Sequence, residues 1–554
     1  MKTPKHCAHR AWLFTSVFLL SVLDCSMAVA ADTIPYLRKQ GSATQLMVDD
    51  QPFLVLGGEL HNSSASSLTY LNKLWPALKT AEINTVLAPV EWDQIEPVEG
   101  RFDFTILDGM LQQARANNIR LILLWFGAWK NSMSTYVPAW VKQDQQRFPL
   151  SRNRNGIAQE ILTPFGPNTL TADTAAYQAL LAHLKQVDTQ RTVIMIQVEN
   201  EIGMLPDARD YGTLANTAFK GPVPKALMDY LQANRADLHT SVKTLWAANG
   251  NRMNGTWTEV FGASIAAEEI FQAWSYARFV EAMTAAGKSA YPLPMYVNAA
   301  LNRPGKKPGE YPSAGPLPHL FDVWKAGAPS IDVLAIDTYF PNFTEWAVQF
   351  KRPNNPLFVP EGNNAGRHDA AAKAFYSIGE HDAFGFSPFG IEDSTGKGDD
   401  TLPQAFRVLR QLAPVIAQHQ GSGNMRGFKA HVSYEGTVDF TPQKVTMGSF
   451  ALQVDLNNRW SKTETKDLEA HGGLIIRLSD NEFLIAGKGL TVTFKDASDH
   501  ARLVGFAKIT EGSYENGKWV EGRWLNGDES HQGRQIMLSN REFSIQKLQL
   551  YRYR

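Results

Sequence analysis

Between about residues 45 and 420, short apolar runs rich in β-branched residues alternate with helical stretches, and this alternation constrains the chain more than any other feature. Runs of that kind are expected where parallel strands are buried on both faces. Eight strand candidates can be counted: Phe53–Gly57, Thr85–Ala88, Leu121–Trp125, Val193–Val198, Pro294–Val297, Val333–Ile336, Leu357–Val359 and Phe384–Phe386. Helices are expected after most of them, at Leu68–Ala81, Ile106–Asn117, Ala175–Gln186, Glu268–Ala286 and Ala370–Ile378. Eight such units predict an α/β fold, a closed (β/α)8 TIM barrel. An open doubly wound sheet competes less well, because no Gly-x-Gly-x-x-Gly follows the first strand.

After Gln420-Gly421-Ser422-Gly423-Asn424 the pattern changes. Leu490-Thr491-Val492-Thr493-Phe494 alternates with period two, and Asn516-Gly517 and Asn526-Gly527 supply hairpin turns. The expected organisation is a leader over 1–30, a catalytic barrel over 31–420 and a smaller antiparallel β-sandwich over 421–554.

The leader is read from Lys2, Lys5 and Arg10 ahead of the apolar stretch Ala11–Leu23, with Ala28-Val29-Ala30 as the cleavage site. The stretch is shorter than the roughly 20 residues that span a bilayer, which opposes a membrane anchor. Asp24 opposes a lipid on Cys25. Cys7 and Cys25, the only two cysteines, lie in this segment, so the mature chain is expected to lack disulfides, thiolate metal sites and a Cys nucleophile. Export to a bacterial periplasm or medium is the corresponding expectation. The charges nearly balance, with 54 Lys+Arg against 55 Asp+Glu, and no basic run occurs. That disfavours nucleic-acid and anionic-membrane partners and suits a neutral, hydroxyl-rich ligand.

In a (β/α)8 barrel the chemistry sits at the C-terminal ends of the strands. The fourth strand runs into Glu199-Asn200-Glu201-Ile202-Gly203 and the seventh into Glu361-Gly362-Asn363-Asn364. These ends face each other across the mouth. Two facing carboxylates are what a retaining glycosidase needs, one to protonate the leaving oxygen and one to attack the anomeric carbon. The bland reading makes both helix N-terminal carboxylates.

The segment Gln197-Val198-Glu199-Asn200-Glu201-Ile202-Gly203 resembles the acid/base motif of glycoside hydrolase family 35, the retaining β-galactosidases, within a clan that places Asn-Glu after strand four. Gly57-Gly58-Glu59-Leu60-His61 is similar to that family's strand-one segment. Glu91-Trp92-Asp93-Gln94-Ile95-Glu96-Pro97 with Gly100-Arg101-Phe102-Asp103-Phe104 is similar to its strand-two signature. The resemblance covers the barrel and not residues 425–554. It implies that Glu201 is the acid/base, Glu361 the nucleophile and Asn200 the contact to the sugar 2-hydroxyl, with no metal and no cofactor. It also implies that Tyr339, after strand six, bonds the nucleophile.

This chain departs from the family pattern at three places. His61 is followed by Asn62-Ser63-Ser64 rather than Tyr-Phe-Arg. Ala128, in Phe126-Gly127-Ala128-Trp129, stands where the family carries a sugar-binding acid. Glu91 takes the place of an aromatic before Trp, and we expect it to supply the displaced carboxylate. His61, Trp129, Trp274 and Phe386 are further candidates for the sugar pocket, and Trp125 is another ring near the mouth.

The expected activity is that of an exo-acting retaining β-galactosidase on oligosaccharides of plant polysaccharides, such as galactosylated xyloglucan. The alternatives are another sugar specificity in the same clan (β-glucosidase, exo-β-glucosaminidase or endo-glycanase) and a non-catalytic carbohydrate-binding protein.

Overall fold

The computed structural model describes Met1 and residues 33–439, 441–456, 465–499 and 501–554. The expected cleavage site and both cysteines lie outside the described residues. Among the described residues, no helix is long and apolar enough to cross a membrane.

Seven parallel strands form a curled sheet in the order Val333–Asp337, Met295–Ala300, Val193–Gln197, Arg120–Phe126, Thr85–Glu91, Val55–Glu59 and Gly385–Phe386. Nearly every residue of these strands is buried, as helices covering the outer face and side chains filling the interior require. The expected helices appear at Leu68–Thr80, Thr105–Ala116, Pro167–Val187, Ile265–Ala290 and Ala370–His381. A last long helix, Leu402–His419, completes the ring.

Two strands differ from expectation. The first barrel strand is Val55–Glu59, because Phe53 belongs to an antiparallel sheet of Tyr36–Gln40, Ala43–Val48 and Gln51–Phe53 that precedes the barrel. Leu46 and Val48 of that sheet pack on Val55, Leu87 and Ile122 inside the barrel. The shift makes Glu59 a strand-end residue rather than part of a loop.

The seventh position, 357–361, is not a regular strand and pairs only through isolated bridges, Val359 with Phe386 and Asp337 with Glu361. Pro356 and Pro360 leave three consecutive N–H groups there, too few for a ladder. The side chain of Asn355 substitutes for the missing pairing, accepting from Leu334 N at 2.9 Å and donating to Leu334 O at 2.9 Å. Closure is finished by Thr338 N to Glu361 O at 2.9 Å and Gly362 N to Ser387 O at 2.8 Å. The backbone of Glu361 is thus fixed from both neighbouring strands.

The C-terminal part is a β-sandwich. A six-stranded antiparallel sheet (Met425–Lys429, Gly472–Arg477, Glu482–Lys488, Ser544–Tyr553, Leu503–Glu515, Lys518–Trp524) faces a four-stranded one (Gln443–Met447, Phe450–Asp455, Thr491–Asp496, Ile536–Met537). Between them lies a core of Phe450, Ile475, Phe483, Ile485, Val492 and Leu548. Asn516 and Gly517 both adopt positive φ, the turn geometry expected of that pair. Asn526-Gly527 opens a short 3-10 helix, Gly527–Ser530, instead of a hairpin. The sandwich docks on helix Ala370–His381, where Gly379 meets Gly427 so closely that a Cβ on Gly379 would lie 2.8 Å from the Gly427 Cα. Phe375 stacks on Phe543 at 5.2 Å in the same interface.

Candidate active site

The strand ends bring four carboxyl groups together: Glu59 from strand one, Glu201 after strand four, Asp337 from strand six and Glu361 at the seventh position. Oxygens of Glu201, Asp337 and Glu361 lie within 4.8 Å of one another, and all four residues are buried. Lys130 is the cation that acts on this group. Burial opposes charge, and so does each neighbouring carboxylate.

Glu201 is pushed up to about 8, first by burial and then by the charge of Glu361, with Lys130 working against the rise. It adopts a left-handed backbone, φ 46°. Three contacts hold it there: Glu201 N donates to Asn298 Oδ1 at 2.9 Å, Ser132 N donates to Glu201 O at 3.1 Å, and Asn131 Nδ2 donates to Glu201 Oε2. Glu361 accepts from the Tyr339 hydroxyl at 2.6 Å on Oε2, and its Oε1 has no partner among the described residues. Burial and the Glu361 charge push the Tyr339 phenol upward, so it remains a donor. Asp337 is held well above the usual carboxylate range by burial, then by Glu361, Glu201 and Glu59. It accepts from Asn298 Nδ2, which makes Asn298 the link between Asp337 and the Glu201 backbone.

Asn200 is fully buried, and both polar atoms of its amide lack a partner among the described residues. Its main chain is zipped to the strand-three loop, Asn200 N to Trp129 O at 3.2 Å and Asn131 N to Asn200 O at 3.2 Å. Glu59 is fully buried with neither oxygen partnered among the described residues, and burial followed by the Glu361 charge holds it well above the carboxylate range. Unpartnered buried polar atoms are rare, and here Glu59 and Asn200 contribute four of them at the strand ends.

Beneath the strand-three loop lies a second acidic pair, Asp173 and Glu199, both fully buried. Asp173 accepts from Trp125 Nε1 and Ala128 N, each at 2.9 Å. Glu199 accepts from Ala128 N at 3.2 Å and Trp129 N at 2.8 Å. A Cβ on Gly127 would lie 2.6 Å from Glu199 Oε1 and 2.7 Å from Asp173 Oδ1, so only glycine fits between them. Burial raises both acids, Asp173 to about 6 and Glu199 further, and the two are hydrogen-bonded to each other. The raised pair favours a state with a proton between the two acids. The pair pins the loop whose Asn131 reaches Glu201.

The remaining expected site residues fall elsewhere. Glu91 is buried at the end of strand two, bonded to Gln94 Nε2 at 2.7 Å and pushed up to about 7 by burial and then Asp93. Its electrostatic neighbours are Asp93 and Tyr136 rather than Glu201 or Glu361. The carboxylate that joins the cluster is Glu59. His61 pairs with Asp393 at 2.9 Å and lies edge-on to Phe389, which ties the strand-one loop to the strand-eight loop.

Trp129 is fully buried, with its indole N–H on Leu162 O and its ring against Tyr276 and Phe279. Trp125 is likewise enclosed, its indole N–H on Asp173. Trp274 lies against Gly327 between two outer helices. All three rings are buried against protein. Phe386 is fully buried beneath Gly362, where an added Cβ would lie 2.5 Å from its ring, so it supports the nucleophile from below.

Uniform use of the strand-end rule reaches Glu59, Asn298 and Asp337, each at or beside the end of an apolar run. Asn131 and Lys130 sit in a loop, and Asp173 sits inside a helix; their sequence neighbourhoods carry no such signal.

Residues 69–288 match the family model of glycoside hydrolase family 42, described as beta-galactosidase. Residues 402–537 match a domain of unknown function, DUF5597. A beta-galactosidase from Xanthomonas manihotis is 25% identical over 211 residues, 36% of this chain and 32% of that protein. A family 42 beta-galactosidase from G. stearothermophilus has a TM-score of 0.52 at 9% identity, over 92% of this chain and 100% of that one, and shares the fold. A beta-galactosidase from Bacillus circulans sp. alkalophilus has a TM-score of 0.45 at 15% identity, over 66% of this chain and 57% of that one. The chain thus spans about a third of the curated relative it matches.

The expected assignment to family 35 does not stand, since the family model that matches the barrel is that of family 42. The Asn-Glu pair after strand four marks the clan and not one family within it.

Proposed function

We propose that this protein is an exo-acting retaining β-galactosidase in which Glu361 is the nucleophile and Glu201 the acid/base. The observation that carries this reading is the pairing of Glu201 and Glu361, with oxygens within 4.8 Å. Carboxyl groups that approach this closely support direct attack, for which retaining enzymes hold them about 5–5.5 Å apart.

In the first step the ionised Glu361 attacks the anomeric carbon while the bond to the leaving oxygen breaks, its electron pair taking the proton of Glu201. A glycosyl ester on Glu361 and a free alcohol result. The ester removes the charge that had kept Glu201 protonated, so Glu201 now accepts a proton from water as the water attacks the same carbon. The ester bond breaks, its electron pair returns to Glu361, and the sugar leaves with its original configuration. The amide of Asn200 is free to bond the 2-hydroxyl, a contact worth most at the oxocarbenium-like transition state.

The substrate in this reading is a galactosylated oligosaccharide of a plant polysaccharide, such as a xyloglucan fragment, met outside the cytoplasm. The leader-like residues 1–30 support export, and the mass of the mature chain recovered from periplasm or medium tests it. A different sugar specificity is favoured by one observation: the strand-three position holds buried Ala128 instead of an acid.

A proton NMR time course on an aryl β-galactoside tests the main reading. β-Galactose appearing before mutarotation is the expected result. α-Galactose first excludes Glu361 as nucleophile, and no galactose, with turnover of another aryl glycoside, shifts the sugar.

A further inference from the structure

The C-terminal part of the chain returns to the barrel mouth in a short hairpin, His431–Val432 paired with Val438–Asp439. His431 Nδ1 lies 3.0 Å from Thr344 Oγ1, near the start of the helix Phe343–Phe350 that follows strand six. That helix end is on the catalytic face, since strand ends and helix starts share one side of such a barrel. At the hairpin tip the ring of Tyr434 meets Phe340 edge to face, with centroids 5.4 Å apart. Phe340 directly follows Tyr339, whose hydroxyl holds Glu361.

Tyr339 is 41% exposed, and the next residue, Phe340, carries the contact to Tyr434. A groove of about 880 Å³ lies between the same helix and hairpin, with Thr344, Glu345, Thr437, Val438 and Asp439 among its lining. The groove combines hydroxyl and carboxylate acceptors with an apolar floor. No Lys or Arg occurs among the described residues that line it. Burial lowers the His431 imidazole, so it too is neutral near pH 7.

We propose that this ring ledge and groove form the leaving-group site, which receives a neutral oligosaccharide on the far side of the scissile bond. Rings stack on the apolar faces of pyranoses, and hydroxyls and carboxylates accept from sugar hydroxyls. The lack of a lining cation leaves nothing to pair with a uronate, which selects an uncharged chain. The C-terminal part then takes part in choosing the substrate, and Tyr434 is its contribution to the ledge. This proposal rests on the glycosidase reading of the Glu201–Glu361 pair.

The test compares two substrates on the full chain: an aryl β-galactoside, which ends at the first ring, and a neutral galactosylated oligosaccharide. Tyr434→Ala should lower kcat/KM on the oligosaccharide about tenfold, the size of one lost stacking contact, and leave the aryl galactoside within about twofold. Tyr434→Phe should restore the oligosaccharide rate, because a phenyl ring still stacks. Equal losses on both substrates would mean that Tyr434 acts through barrel packing, and no loss on either would mean that the leaving group goes elsewhere; each outcome overturns the proposal.

If the wild-type protein hydrolyses no glycoside, the catalytic reading has failed, and the groove is judged separately by calorimetry with the same oligosaccharide. Binding that weakens in Tyr434→Ala supports the site. Absent or unchanged binding rejects it.

Discussion

Replacing Glu201 by glutamine should stabilise the fold, by an amount that depends on pH in a defined way. In the unfolded chain this carboxyl ionises near 4.5, whereas in the native site it keeps its proton until about 8. Between those values the unfolded state binds fewer protons than the native state, so stability falls as pH rises, by about 1.4 kcal/mol per pH unit. At pH 8 the accumulated penalty is on the order of 5 kcal/mol, comparable with the whole stability of a typical domain. Glutamine does not titrate and keeps an oxygen for the Asn131 donor, so it escapes the penalty.

The assay is the midpoint of the barrel's thermal unfolding for wild type and Glu201→Gln, measured from pH 4.5 to 8.5. The two should nearly coincide at the acid end and separate steadily up to about pH 8, with the variant melting higher. Turnover of a galactoside with a poor leaving group should fall about 10²–10⁴-fold in the same variant. A separation that stays constant with pH would refute the claim that burial beside Glu361 holds the proton on Glu201.

Tyr339→Phe removes the hydrogen bond to Glu361 Oε2, a charge-assisted contact worth about 1.5–3 kcal/mol; steady-state kinetics should show kcat/KM about 10- to 100-fold lower, and the melting point should fall with it. Lys130→Met removes the cation that opposes the rise of Glu201; the alkaline limb of the pH–rate profile should move up, and a limb that stays put or moves down would show that Lys130 does not act on the acid. Glu199→Gln keeps a donor toward Asp173 and should preserve the fold. Glu199→Leu orphans the Trp129 N–H, at a cost of about 1–3 kcal/mol, which urea titration of both variants would reveal.

The strand-end rule carried most of the site because a parallel barrel gives the last residue of each strand the same address. Glu201 and Glu361 were visible for that reason. The rule misled where the strand itself was misread: placing strand one at Phe53–Gly57 rather than Val55–Glu59 left Glu59 in a loop, outside the set of interior residues. The missing N-terminal sheet had a local sign, since Val48-Asp49-Asp50-Gln51 turns through two residues with positive φ, a conformation that aspartate tolerates better than most residues.

Aromatic residues were the least legible. Trp125 and Trp129 lie at the end of an apolar run, which placed them near the mouth, but sequence does not say which way a ring points. Their indole N–H groups are met inside the protein, by Asp173 and by Leu162 O, and that settles them in the core. Asp173 has a partner fixed by a helix packing on the strand-three loop, a long-range fact with no local pattern.

The four clustered carboxyl groups and the pair beneath them explain each other. A site that stabilises an oxocarbenium-like cation needs negative charge where positive charge develops, yet full ionisation of Glu59, Glu201, Asp337 and Glu361 around one Lys130 would be prohibitively repulsive. Protonation is the way out. Burial and the neighbouring carboxyl groups raise Glu59, Glu201 and Asp337, which favours their neutral forms, while the Tyr339 hydroxyl donates to Glu361. Glu199 and Asp173, both raised by burial one layer down, accept from the backbone of the loop that aims Asn131 at Glu201. The acid/base is therefore set by its own burial and by a loop that is itself held by a second buried acidic pair.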